Sequence, residues 1–203
     1  RQAFRASDIE KAASSFDRSS RLLAETPCQT LVMLVEADIA RCDVFRARYD
    51  DALQRIGPHV AEAETRGYRH LAARGRWIAG YAHAVQYEPV PALGQFRQSI
   101  AGLEATGDVE GSCTVGFLLA ETSGWFGFGD DAWRSSIGAM EASWKAGRAH
   151  AVSLEYTAVA SRFETDGEAV AARYVCDAAV DGACATGSAV SLAGVYASHA
   201  GLC

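Results

Sequence analysis

Apolar and polar residues along this chain fall into stripes at helical spacing, separated by short turns. In DIEKAASSFDRSSRLLAE, residues 8–25, the positions Ile9, Ala12, Ala13, Phe16, Leu22 and Leu23 share one stripe, with Ser7 or Asp8 placed to cap the helix. Thr26–Pro27 should end it, because the residue before a proline is pushed out of the α region. Every later segment also reads as helix or turn, so a β-sheet anywhere would contradict the pattern.

A longer period lies over these stripes. Steps of forty residues connect Ala40, Gly80, Ala120, Ala160 and Ala200; a second phase connects Ala12, Ala52, Ala92, Ala132 and Ala172; a third connects Gly67, Gly107, Gly147 and Gly187. Self-similarity at such a distance marks units that stack because none can bury its apolar face alone. The register defines a single array over residues 1–203: a half repeat at 8–27, full repeats at 30–69, 70–109, 110–149 and 150–189, and a half repeat at 190–203. An array that starts and stops inside repeats reads as a piece of a longer protein.

Each full repeat is expected to hold two helices, A and B. In the first, helix A covers about 30–45 and helix B about 50–66, with Gly57–Pro58 expected to bend or break helix B through the lost bond to the Gln54 carbonyl. In the second, Tyr87–Pro91 forms the turn and Pro91 opens helix B at 91–106. In the third, helix A at about 111–124 runs into Trp125–Phe126–Gly127–Phe128–Gly129, and Asp130 or Asp131 caps helix B at 131–146. In the fourth, helices at 150–164 and 168–186 flank Thr165–Asp166–Gly167.

Within each unit a small residue is followed twelve on by alanine, four further by a larger residue, and three further by another mostly small one. The quartets are Ala40, Ala52, Ile56, His59; Gly80, Ala92, Phe96, Ser99; Ala120, Ala132, Ser136, Ala139; and Ala160, Ala172, Cys176, Ala179. This spacing resembles the tetratricopeptide repeat (TPR), in which small residues stand where helix A touches helix B. The resemblance implies an all-α fold, a right-handed α-solenoid of tandem antiparallel helix hairpins. The period of forty exceeds the usual thirty-four, and the extra residues fall after the helix-B alanine, so helix B should be the longer one. Such forty-residue variants resemble arrays of bacterial signalling proteins, the STAND-type regulators and CHAT peptidases. HEAT and armadillo repeats, with periods near forty, are the structural alternative.

Composition narrows the work such a chain does. It has 203 residues, 49% hydrophobic and 22% charged, with a net charge of -6. An acidic balance with thinly spread arginines argues against nucleic acid, which calls for a clustered basic face. No apolar run reaches membrane-spanning length and the N-terminus is no signal peptide, which together point to a cytoplasmic protein and no membrane partner. Six scattered cysteines without a CxxC pair fit reduced thiols rather than a zinc site, and the histidines lack metal spacing, so no metal or cofactor is expected. Cys176 should be a buried, inert thiol, and no catalytic constellation is present: the chain does not read as an enzyme.

If the resemblance holds, helices A line the concave face. Its open positions then include Arg41, Trp77, Tyr81, Phe117 and Glu121, with Arg74 nearby, and these six form the candidate partner-binding set for a peptide, helix or protein surface. The rings either anchor a partner or pack between adjacent hairpins. The aromatic turn Trp125–Phe128 is likewise either an interface patch or a cover for its own hairpin, and Trp133 and Trp144 should lie between repeats. Two functions follow: an interaction scaffold, or a regulatory segment of a larger signalling protein acting through intramolecular contacts. The acidic centre, including Glu121, Asp130 and Asp131, favours a basic partner or merely solvates helix faces. The apolar residues Leu192, Val195, Tyr196 and Leu202 of the last half repeat add self-association as an expectation.

Overall fold

Helices of seventeen or eighteen residues, most of them joined by turns of three, set the architecture. The computed structural model describes residues 9–25, 28–145 and 149–186. Every regular element among them is an α-helix: α1 (Ile9–Glu25), α2 (Gln29–Phe45), α3 (Tyr49–Thr65), α4 (Arg69–Val85), α5 (Pro89–Ala105), α6 (Val109–Trp125), α7 (Gly129–Lys145), α8 (Ala149–Thr165) and α9 (Ala169–Thr186). The chain divides into two compact units, Arg1–Gly107 and Asp108–Cys203, and the division falls at the end of the second repeat.

The turns share one construction. Their middle residues are left-handed: Ala47 (φ 59°), Gly67 (73°), Tyr87 (62°), Gly107 (73°), Gly127 (78°) and Gly167 (82°). After α3, the Tyr68 amide donates to the Ala63 carbonyl at 2.7 Å and the Gly67 amide to the Glu64 carbonyl at 3.0 Å. That pair of bonds is a Schellman closure, which satisfies carbonyls a helix end leaves orphaned. The same pair recurs after α2, α4, α6 and α8. The backbone therefore repeats every half unit, while side-chain identity repeats only every full one.

In the first unit, α1 packs on α2, α2 and α3 form one hairpin, α4 and α5 the next, and the two helices A, α2 and α4, touch each other. In the second, α6–α7 and α8–α9 are hairpins, and their helices A, α6 and α8, touch. The quartets supply the hairpin cores: every member is buried except His59, which is half-buried. Gly80 shows why the first position is small. A Cβ there would lie 2.8 Å from Cδ1 of the fully buried Phe96. Ser99, at the last position of its quartet, keeps its buried hydroxyl satisfied by donating to the Ala73 carbonyl at 2.7 Å.

The structure corrects several expectations. Helix α3 runs unbroken through Gly57 and Pro58. Pro58 is exposed, so water can take up the Gln54 carbonyl while Ile56 and Ala63 hold the buried face. Helix α5 begins at Pro89 rather than Pro91, which leaves a turn of only three residues. Asp130 and Asp131 stand inside the first turn of α7 and are not its cap. Helices A and B are equally long in the first three repeats and differ by one residue in the fourth, so the longer period is not carried by helix B alone. Trp144 is 61% exposed rather than buried between repeats. The expected cap at Ser7 or Asp8, the Thr26–Pro27 stop, Gly147 and the last half repeat at 190–203, with its apolar residues, lie outside the described residues.

Candidate partner-binding faces

In the first unit the sequence of α2 places an acid where the helix faces its neighbours. Asp38 is buried, and its Oδ1 accepts from Nη2 of Arg41 at 3.0 Å on the same helix and from Nη2 of Arg74 at 3.2 Å on α4. A buried carboxylate is costly unless paired and hydrogen-bonded, so Asp38 fixes both guanidinium groups. The Arg41 guanidinium carbon also stands 6.0 Å from the centre of the Trp77 ring, a cation–π distance. One turn along, Tyr81 of α4 meets the half-exposed Phe45 of α2 with ring centres 5.9 Å apart. Four of the six candidate residues, Arg41, Arg74, Trp77 and Tyr81, thus converge on one strip across α2 and α4. Tyr81 serves both readings of the rings, since it also packs against the hairpin core.

A second charged cluster joins α2, α3 and the turn between them. Asp43 is buried and paired with Arg48 and Arg55, and Arg55 Nη1 also reaches Glu36 at 2.6 Å. Burial pushes the neighbouring Cys42 thiol up from its ordinary value, against the pull of Arg41 and Arg46 in the other direction. It is therefore a packed hydrophobe rather than a thiolate nucleophile.

Phe117 and Glu121 belong to the second unit. Both are half-buried on α6. Glu121 faces Arg162 of α8 at 3.9 Å, and desolvation raises its pKa despite that cation. Arg162 donates to the Ala120 carbonyl at 2.9 Å, and its guanidinium carbon lies 6.0 Å from the Trp133 ring centre. Trp133 lies edge-on to Phe163 at 4.7 Å and donates through Nε1 to Asp166 at 3.0 Å. It is an inter-repeat residue, as expected. Trp125 and Phe128 of the aromatic turn are both substantially exposed. Cys176 is fully buried, as its quartet position requires.

The residues that organise both faces were not in the candidate set. Asp38 and Asp43 had a signal, since they are acids set among the apolar residues of the largely apolar helix α2. Arg162 had another: the equivalent positions one, two and three repeats earlier hold Thr122, Ala82 and Cys42, all buried and small. Among the described residues, no group of three or more His, Cys, Asp or Glu side chains is placed to hold a metal ion, and no helix is long and apolar enough to cross a membrane.

No family model matches the chain, and no curated protein does. Solved structures are similar to it in fold. A Podosopora anserina kinesin light chain-like protein with nearly identical TPR-like repeats matches in two versions at 13% identity over 92% of both chains, a single-substitution variant with a TM-score of 0.69 and a second structure with 0.67. BtubC (BKLC) from P. vanneervenii matches at 13% identity and a TM-score of 0.69, over 94% of this chain and 84% of that one. At this identity the likeness concerns the fold: the chain is an all-α solenoid of TPR-like helical repeats.

Proposed function

We propose that the chain is a protein-interaction scaffold that receives a peptide, helix or protein surface on the helix-A face of its first unit. The observation that carries this reading is the strip in which Asp38 holds Arg41 and Arg74 beside Trp77, with Tyr81 and Phe45 one turn along. Tryptophan, tyrosine and arginine are the residue types that dominate binding energy at protein interfaces, and guanidinium groups fixed before binding lose little entropy on contact. The acidic net charge and the cysteines Cys28, Cys42, Cys113, Cys176 and Cys184, none of them in a disulfide, fit a cytoplasmic protein whose partners are proteins rather than nucleic acid or membrane.

Peptide selection by phage display against the full chain tests the proposal. Selected peptides should bind a Trp77→Ala/Tyr81→Ala variant about tenfold more weakly while its helical circular dichroism is unchanged. Full affinity in the folded double variant would remove the strip from the function.

A further inference from the structure

The second unit carries a cleft between α6, α7 and α8. Its volume is about 640 Å³, and its walls include Glu121 and Gly124 of α6, Trp125 at the end of that helix, Asp130 and Trp133 of α7, and Arg162 and Asp166 at the end of α8. Its charges are unbalanced: three carboxylates, Glu121, Asp130 and Asp166, line it against one guanidinium. That guanidinium is committed to the Ala120 carbonyl and to Glu121, and it stacks toward Trp133. Gly124 makes this possible, because a Cβ there would lie 2.7 Å from Nη1 of Arg162. Asp130 is exposed, and so is Trp125, at 60% of its surface.

We propose that this cleft seats an arginine or lysine side chain presented by a protein partner. The exposed face of Trp125 supplies a cation–π surface, Asp130 and Asp166 the counter-charge, and the volume admits one long side chain with its flanking backbone. Glu121, half-buried and facing Arg162, adds a third carboxylate to the wall. The inference rests on the reading of the chain as a protein-binding scaffold but on residues apart from the Asp38 strip, so the two fail separately.

The test uses the full chain and arrayed capped dodecapeptides, random except for a central arginine, with matched arrays carrying lysine or citrulline at that place. Citrulline keeps the shape of arginine and removes its charge. The arginine and lysine arrays should retain the chain about fivefold or more over citrulline. Trp125→Ala and Asp130→Asn, both at exposed positions, should each abolish that preference. Asp50→Asn, an equal charge change at an exposed position of the first unit, and Trp77→Ala/Tyr81→Ala should leave it intact. Equal retention of arginine and citrulline peptides overturns the inference and spares the scaffold reading, as does a preference that survives both cleft variants. Retention of no peptide by the wild-type chain overturns both.

Discussion

At Gly80 a methyl group meets the ring of Phe96 at 2.8 Å, and Phe96 is fully buried with no room to retreat. Gly80→Ala should therefore lower stability by about 1–3 kcal/mol in urea denaturation. Gly94→Ala, in the helix that carries Phe96 but with nothing within 4 Å of the new methyl, should raise it by about 0.5–1 kcal/mol. Equal effects at both sites would mean that propensity, not close approach, decides the small position. Glu121 gives a pH dependence. Desolvation raises its folded pKa above the ordinary value of 4.5, so the folded state holds this proton more tightly than the unfolded one. The resulting stability is present below pH 4.5 and is lost as pH rises through the folded pKa. Glu121→Gln should consequently gain on the wild type between about pH 4 and pH 7, as compared by urea midpoints. A gap that stays constant across that range would remove desolvation as the governing effect.

Among the elements, α3 is the instructive one. Proline in a helix interior loses an amide donor and crowds the carbonyl four residues back, yet α3 continues from Tyr49 to Thr65. Packing of Ala52, Ile56 and Ala63 outweighs the local cost. Pro58→Ala should restore the bond to the Gln54 carbonyl and stabilise the chain by about 1–3 kcal/mol, read from thermal and urea unfolding. Destabilisation would show instead that the ring packs against the charged cluster of Asp43 and Arg55, which it borders. The turns teach a related lesson. Glycine marks Gly67, Gly107, Gly127 and Gly167, but Ala47 and Tyr87 take the same left-handed conformation without it. Counting glycines therefore shows the half repeat at Gly127 and Gly167 and misses it at Ala47 and Tyr87, because the Schellman bonds and the flanking helices impose the conformation even where the residue disfavours it.

For the whole molecule, two units each built of stacked hairpins carry two faces of different character. The first presents arginines fixed by one buried acid beside aromatic rings, and the second an acidic cleft rimmed by an exposed tryptophan. Peptide selection and the charge-matched arrays address these faces one at a time. The sequence by itself determined the helices, the forty-residue period and the quartets of small and large residues, because these depend on spacing within one hairpin, where helical periodicity converts position directly into direction. It grouped Arg41, Arg74, Trp77, Tyr81, Phe117 and Glu121 as one candidate set, of which the first four stand in the first unit and the last two in the second. Only the tertiary structure decided which charges meet. Arg74 finds Asp38 across 36 residues and Arg162 finds the Ala120 carbonyl across 42. Such contacts join neighbouring hairpins through long side chains, whose reach and burial depend on which surface stands opposite. The same cause leaves Trp144 exposed while Trp133, on the same helix, is held against Phe163.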